Sequence, residues 1–390
     1  MDRYELNKMF DGLAPDRRRE QELLRQLLQE NARRTKTMKN WKHVVAAVVA
    51  AALLVTAAAA AVVLPRIDPK VLDYFDVEPE NSEAVAEAVD LLYPGAMELD
   101  ITKESNGAAL HVTQILRDRY NVVILADFTA PEGTRLYMGE PDPPNVSTTK
   151  GFHNGAAFAA DFLDAVGERL GKDGLVAFYN WEVLEDDDPV DNHVSLMFTL
   201  CPQRGEDGVW DAASLRVPAV NLGYWDLEQE KLVTVYEGDW SFDAPLPRQD
   251  IGWVVSIDQN LGELDGAAIT AQGELYLSPI TLKFDHRRDE SVAFAGDTEQ
   301  ERNMAVSRWY SLGEAEGVTL TTADGETVSV DYGNGAGGFG DGWWSEMYRL
   351  KQVTDPAKFQ GGTLTLDWAC GKTVISLDGL TPVEVGLGAE

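Results

Sequence analysis

The chain has 390 residues, a formal net charge of −32 and only two cysteines. So large an acidic excess repels nucleic acid and anionic lipid headgroups, which argues against either as a partner of the acidic part of the chain. Two cysteines cannot build a disulfide-dense scaffold, so packed cores must supply most of the stability.

The first 42 residues differ from the rest in charge, with a net of +4 against −36 for the remainder. Their pattern predicts two short amphipathic cytoplasmic helices, separated near Pro15. The apolar faces of these helices are formed by Leu6, Met9, Phe10, Leu13, Leu23, Leu24, Leu27 and Leu28. Such small stripes bury too little surface to fold firmly alone. Two interpretations remain open: a docking segment for a cytosolic protein, or a solvated helix beside the membrane.

Residues 43–64 predict an uncleaved transmembrane helix. From Val44 to Leu64 every residue except Thr56 is Ala, Val or Leu, and a helix of this length covers roughly 30 Å, the thickness of the bilayer core. Lys and Arg crowd the upstream flank, which predicts a single-pass cell-membrane protein with a cytoplasmic N-terminus and an extracytoplasmic C-terminal part. The alternative is a signal peptide cleaved within 57–61, against which the long preceding segment counts.

Residues 65–96 are expected to form a membrane-proximal linker and a short helix. The stretch from Arg66 to Glu80 is polar and has no clear periodicity. A helix is predicted from Ser82 to Leu92, with Ser82 as its N-cap and Val85, Val89 and Leu92 on one face.

The remainder predicts a mainly β fold with antiparallel β-sandwich domains and a few short helices. Short alternating runs are separated by Gly, Pro and Asp, and hairpin turns are expected at Asn106-Gly107 and Asp324-Gly325. In the second hairpin, Val318 and Leu320 are expected to face Val328 and Val330. We divide this part into an extracytoplasmic sandwich domain at 97–285 and a C-terminal β-rich domain at 286–390. Residues 155–171 resemble an inserted amphipathic helix.

Motifs for catalysis are weak, and the sequence predicts no enzyme and no cofactor. Gly335 to Gly340 matches a dinucleotide fingerprint by letter, but no strand-to-helix context follows, so a hairpin loop is expected. Ser147 and Lys150 fit S-x-x-K only within a turn-rich stretch. The five histidines are scattered without metal-ligand spacing. Trp343 and Trp344 fit either an exposed aromatic patch or a plug at a sandwich edge.

Two further sets of residues leave alternatives open. Asp186, Asp188 and Asp191 lie in an acidic run that fits either a weak calcium site or a solvated turn. Cys201 and Cys370 either form one disulfide or remain separate thiols. A bond between them would close a long loop worth ~5 kcal/mol on the entropic model.

Longer stretches resemble the domain-of-unknown-function 4179 family of bacterial, mostly clostridial, membrane proteins. The resemblance rests on "NGAALHVTQILRDRYNVVILADFTAPEGT", "WEVLEDDDPVDNHVSLMFTL", "WSFDAPLP" and "ELYLSPITLKF". It implies an anti-sigma-factor-like protein, in which the apolar faces within residues 1–42 hold an extracytoplasmic-function sigma factor. Residues 1–42 contain neither His nor Cys, which excludes the zinc-dependent form of such a domain.

Taken together, these features predict a single-pass membrane regulator. Its partners would be the lipid bilayer, a cytoplasmic sigma factor and an extracytoplasmic ligand. The alternative function is a membrane-anchored surface module that binds a wall or host ligand.

Overall fold

The computed structural model is described here for residues between 67 and 383. The described ranges are 67–138, 150–152, 159–170, 176–184, 188, 190–202, 212–226, 228–312, 317–338 and 342–383. They belong to one compact unit, Pro65–Glu390. The predicted cytoplasmic segment, its eight apolar contact residues and the predicted span lie outside the described residues. No helix in the part of the chain that is described is both long and apolar enough to span a membrane.

Within the described residues, two helices and a short 3₁₀ turn precede the first strand. Helix α1 (Pro69–Tyr74) has proline at its first position and Asp68 as its N-cap, and the Asp68 side chain accepts a hydrogen bond from the Lys70 amide. Helix α2 (Ser82–Leu92) begins one residue after its N-cap, which is Asn81 and not Ser82 as predicted. The 3₁₀ turn covers Tyr93–Gly95. The segment predicted to be a linker therefore contains an unpredicted helix.

Eleven strands are described in the first half of the β-rich unit, which we call the N-terminal sandwich. Their bounds are β1 (Ala96–Ser105), β2 (Ala108–Arg117), β3 (Val122–Thr129), β4 (Lys150–Phe152), β5 (Ala159–Leu163), β6 (Val176–Val183), β7 (His193–Pro202), β8 (Ser214–Val217), β9 (Val220–Asp226), β10 (Lys231–Asp239) and β11 (Phe242–Pro245). An eight-stranded sheet has the order β1-β2-β3-β7-β6-β5-β8-β11, and a three-stranded sheet has the order β10-β9-β4. A hydrophobic core with Trp240 at 0% exposure lies between them.

The remaining elements form the C-terminal sandwich. Their bounds are β12 (Trp253–Leu264), β13 (Ala267–Leu277), β14 (Thr281–Arg288), α3 (Glu299–Tyr310), β15 (Val318–Thr321), β16 (Thr327–Val328), β17 (Val330–Gly338), β18 (Trp343–Leu350), a 3₁₀ turn (Pro356–Phe359), β19 (Thr363–Trp368), β20 (Gly371–Ser376) and β21 (Thr381–Pro382). Sheets β17-β18-β14-β13-β12-β21 and β16-β15-β19-β20 enclose a second core. The mainly antiparallel β character is confirmed.

The two predicted hairpin turns are confirmed. Asn106 and Gly107 both have positive φ, at 49° and 82°, in the turn between β1 and β2, as such tight turns require. At the second turn Leu320 pairs with Val328. Val318 instead pairs with Leu366, and Val330 pairs with Leu350 in the other sheet.

The helix predicted at 155–171 is wrong for the part that is described. Residues Ala159–Leu163 form β5, which pairs with β6 and β8. The turn that follows is closed by Asp164, whose side chain accepts hydrogen bonds from the Val166 and Glu168 amides. Burial of Phe162 in the core favours an extended strand over the local helical periodicity. The boundary placed between 285 and 286 falls inside β14.

Candidate functional site

Among the metal-site candidates and the cysteines, the structure describes the side chains of Asp188, Asp191 and Cys370, whereas the side chain of Cys201 lies outside the described part. Asp191 accepts a hydrogen bond from the His193 amide at 2.7 Å, Asp188 is exposed, and Asp186 lies outside the described residues. No group of three metal-ligating side chains occurs among the residues described. Cys370 is a half-buried free thiol beside the second core. Burial raises its pKa.

A Ser-Lys-Asp-His cluster lies where α1 meets the eight-stranded sheet. Ser195 Oγ donates to Asp127 Oδ1 at 2.6 Å and accepts from Lys70 Nζ at 2.7 Å. Lys70 Nζ also donates to Asp127 Oδ1 at 2.9 Å, and His193 Nε2 lies 3.4 Å from the same oxygen. These are the residue types of a hydrolytic site, so their protonation matters.

The protonation of this cluster argues against nucleophilic catalysis. Burial raises the pKa of Asp127, but hydrogen bonds from Ser195 and Lys70 and the charge of Lys70 outweigh it, so the pKa is lowered overall. Lys70 Nζ donates to Ser195 Oγ and so occupies an oxygen lone pair that a nucleophile would use. Ser195 also directs its proton to the carboxylate. The cluster therefore fixes α1 to β3 and β7.

A third hydrophobic cluster continues this attachment. It joins α1 and α2 to the sheet face that points away from the first core. Its buried members are Ile67, Val71, Leu72, Phe75, Val77, Ala88, Val89, Leu92, Leu116, Val123, Leu125, Met197 and Ile280. Strand β3 is consequently buried on both faces, since Ile124 belongs to the first core and Val123 and Leu125 to the third.

The same helices also contact the C-terminal sandwich. The Arg349 guanidinium on β18 lies 4.8 Å from the centre of the Tyr74 ring. Lys358 Nζ donates to Glu87 at 2.7 Å, and Ile280, in the turn before β14, is part of the third cluster. The segment that leads out of the predicted span therefore packs against both sandwiches.

The turn between β2 and β3 inserts into the C-terminal sandwich next to this contact. Asp118 is fully buried; its Oδ1 accepts from the Tyr120 and Asn121 amides at 2.8 and 2.7 Å. Its Oδ2 accepts from Ser278 Oγ at 2.6 Å. Ser278 Oγ in turn accepts from the Ile280 and Thr281 amides. Asp118 thus closes the β2–β3 turn of one sandwich and, through Ser278, is joined to the β13–β14 turn of the other.

A second carboxylate ties the connecting segment into the junction. Asp250 accepts from Arg119 Nε at 2.9 Å and from Tyr276 Oη at 2.7 Å. Arg119 also pairs with Glu274 at 2.7 Å. A Cβ on Gly252 would lie 2.1 Å from the Tyr276 ring, so only glycine leaves room for that buried ring. We call Asp118, Arg119, Asp250, Tyr276 and Ser278 the junction network.

Burial dominates the electrostatics of the junction network. It raises the pKa of Asp118 to about 6 despite hydrogen bonds from Ser278 and Thr281, because a carboxylate loses hydration in the interior. It also raises the pKa of Tyr276 well above its usual range, so the phenol stays protonated and donates to Asp250. The network therefore holds a carboxyl group that titrates at mildly acidic pH.

The junction network links the two sandwiches through hydrogen bonds and ion pairs. Helices α1 and α2 and the junction network meet beside the β13–β14 turn, where Ile280 belongs to the third cluster and Ser278 to the network. Sequence patterns did not single out these residues. The available signal was the continuous apolar run from Val122 to Ala126 at the start of β3, which indicates that both faces are covered.

The other predicted aromatic and glycine motifs take part in the C-terminal sandwich. Trp343 is 8% exposed and Trp344 is half-buried, so neither forms an open aromatic patch. Gly335 to Gly338 belong to β17 and pair with β18. The expected loop therefore begins, at the earliest, beyond Gly338.

Comparisons with known proteins give no family. No family model matches the chain, and no curated protein matches it. A solved structure described as "The crystal structure of the conserved domain protein from Bacillus anthracis" shares 12% identity and covers 72% of this chain and 88% of that chain, with a TM-score of 0.41. A likeness at that TM-score carries no argument about fold or function.

Proposed function

We propose that the chain is a single-pass membrane regulator whose β-rich part passes an extracytoplasmic signal to residues 1–42. The observation that carries this proposal is the double attachment of α1 and α2. These helices follow the apolar run at 43–64 closely, and they pack against both sandwiches through the third cluster, Tyr74–Arg349 and Glu87–Lys358. A loose tether would have no reason to bury so many apolar side chains.

The cytoplasmic output is proposed to be sequestration of a sigma factor. This step is supported by the resemblance stated above and by the two leucine-rich stripes, which need a partner groove to bury them. In this proposal Leu6, Met9, Phe10 and Leu13 form one contact face. Leu23, Leu24, Leu27 and Leu28 form the other.

A capture experiment on the full-length chain tests the output. The tagged protein is purified from membranes of its native host, and co-purifying proteins are identified by mass spectrometry. We expect a sigma factor, which is lost when Leu23, Leu24, Leu27 and Leu28 are replaced by Ser. The matched control replaces Gln26 and Gln29 on the same stretch by Ser and should retain the partner. Equal recovery with both variants, or no sigma factor at all, contradicts the proposal.

The second candidate function is a membrane-anchored module that binds a wall or host ligand. The two candidates differ in residues 1–42, which only the regulator needs for a protein contact.

A further inference from the structure

Asp118 is a fully buried carboxyl group at the contact between the two sandwiches. It accepts hydrogen bonds from uncharged donors, namely the hydroxyl group of Ser278 and the amides of Tyr120 and Asn121. Among the described residues, no cation forms an ion pair with it. Because a buried charge without a counter-ion is costly, this place favours the protonated acid over the carboxylate.

The arginine next to Asp118 in the sequence binds other carboxylates. Arg119 Nε donates to Asp250 at 2.9 Å, and its Nη1 donates to Glu274 at 2.7 Å. Asp250 is itself 7% exposed, and its charge acts on Asp118 in the same direction as burial does. Since Arg119 compensates Asp250 and not Asp118, a second negative charge at Asp118 is disfavoured.

Other charged and titratable side chains surround the junction. They are Arg117 on β2, Tyr120 in the β2–β3 turn, Tyr276 on β13, and Lys283 and Asp285 on β14. Burial raises the pKa of Tyr120 to about 12 and that of Tyr276 well above its usual range, so both phenols stay protonated. Burial raises the pKa of Asp118 from 3.8 to about 6, which lies in the range of mild acidification.

The junction can hold Asp118 in either protonation state. Thr281, at the start of β14, is fully buried, and its hydroxyl lies beside the carboxyl group. A hydroxyl can donate to a carboxylate or accept from a carboxylic acid. A proton on Asp118 therefore has an acceptor within the junction.

The two turns that Asp118 joins also contribute to the cluster that holds α1 and α2. Leu116, two residues before Asp118, and Ile280, two residues after Ser278, are buried members of the third cluster. Phe75, at the end of α1, belongs to the same cluster. Weakening of the contact between Asp118 and Ser278 would therefore loosen two of the places to which the helices are attached.

We propose that the contact between Asp118 and Ser278 is acid-responsive, so that a proton taken up by Asp118 tightens it and strengthens the attachment of α1 and α2. Burial favours the protonated form, so the contact is tight below about pH 6 and weakens as the pH rises through that value. This inference deepens the proposed function, on which it rests for the extracytoplasmic location of the junction. The signal would then be acidification of the medium outside the cell.

Hydrogen exchange of the full-length chain in detergent micelles, at about pH 5 and about pH 7.5, tests the proposal. After correction for intrinsic rates, amides in 118–121, 278–281 and 67–92 should be about tenfold better protected at the lower pH, as a pKa raised from 3.8 to about 6 implies. Asp118→Asn should lower protection at both pH values and abolish the difference between them. Asp164→Asn changes a carboxylate that closes another turn and should keep the tenfold difference.

A second variant decides the outcome if Asp118→Asn does not fold, which near-UV circular dichroism establishes. Ser278→Ala removes a donor to the ionised form, so the midpoint of the pH response should move to higher pH. An unchanged midpoint in this variant would overturn the proposal.

Three further results would overturn the proposal: equal protection of the natural chain at both pH values, a pH response that persists in Asp118→Asn, or a response confined to the two turns and absent from 67–92. None of these measurements involves a sigma factor. The acid response and the proposed capture of a sigma factor can therefore fail separately.

Discussion

Ser278 Oγ donates a hydrogen bond to Asp118 Oδ2 over 2.6 Å, and both side chains are completely buried. Because Asp118 closes the β2–β3 turn and Ser278 closes the β13–β14 turn, this contact joins the N-terminal sandwich to the C-terminal one. Its partners leave no spare donor or acceptor on Ser278 Oγ. Small changes here should therefore have measurable effects.

Replacement of Ser278 by Ala should lower the free energy of unfolding by about 1–3 kcal/mol, since Asp118 loses a partner in a buried place. Denaturant unfolding measures the change. Ser291→Ala, which removes an exposed hydroxyl bonded to Asp289, is the matched control and should change stability by less than about 0.5 kcal/mol. Equal effects of the two substitutions would show that the junction contact does not stabilise the fold.

Asp118 should make stability depend on pH. Its pKa is raised from 3.8 to about 6, so the folded state binds the proton more tightly than the unfolded state. The resulting stabilisation is fully present below pH ~4 and is lost as the pH rises through about 6, with a total on the order of 3 kcal/mol.

Unfolding of the natural chain and of Asp118→Asn across this pH range tests the effect. The difference in free energy between the two proteins should change with pH between about 4 and 6 and be constant on either side. The amide cannot titrate, so the pH-dependent component disappears. Its NH2 group cannot accept the hydrogen bonds that one carboxylate oxygen accepts, which adds a loss of stability that does not depend on pH. Parallel profiles would mean that Asp118 has an ordinary pKa.

Phe75, which is 1% exposed at the C-cap of α1, should be essential for docking of the membrane-proximal helices. Phe75→Ala should destabilise the attachment by about 3–5 kcal/mol, because it leaves a cavity in the third cluster. Hydrogen exchange of residues 67–92 should accelerate strongly, while β12 to β14 remain protected.

The matched control for Phe75 is Lys358→Ala. Lys358 Nζ pairs with Glu87, and both side chains are 48% exposed, so the pair is worth at most about 1 kcal/mol. Faster exchange in Lys358→Ala than in Phe75→Ala would contradict the apolar origin of the attachment.

Ser195 should not react as a nucleophile. Lys70 Nζ donates to the hydroxyl oxygen, and the hydroxyl donates to the Asp127 carboxylate, so a fluorophosphonate probe should not label Ser195. Mass spectrometry of the treated full-length chain detects any adduct. A stoichiometric adduct that disappears in Ser195→Ala, but persists in Ser291→Ala, would establish a hydrolytic site at α1.

Some elements could be predicted from the sequence because local residue chemistry specifies them. Asn106-Gly107 occupies a turn with positive φ that few other residues adopt, and Ser82–Leu92 carries its apolar face at helical spacing. Helix α3 was missed although its start carries a local signal, the reciprocal hydrogen bonds of Thr298 and Glu301 that form a capping box. Helix α1 was missed because six residues give too short a period, and its stability comes from the sheet beneath it.

The sequence by itself determined the antiparallel β character, the hairpin turns and the division of charge between residues 1–42 and the rest, because each depends on residue type and spacing along the chain. Only the tertiary structure decided that 159–163 is a strand, that α1 packs against both sandwiches, and that Asp118 meets Ser278. Those contacts join residues far apart in sequence, and burial, which raises the pKa of Asp118, exists only once the chain has folded around it.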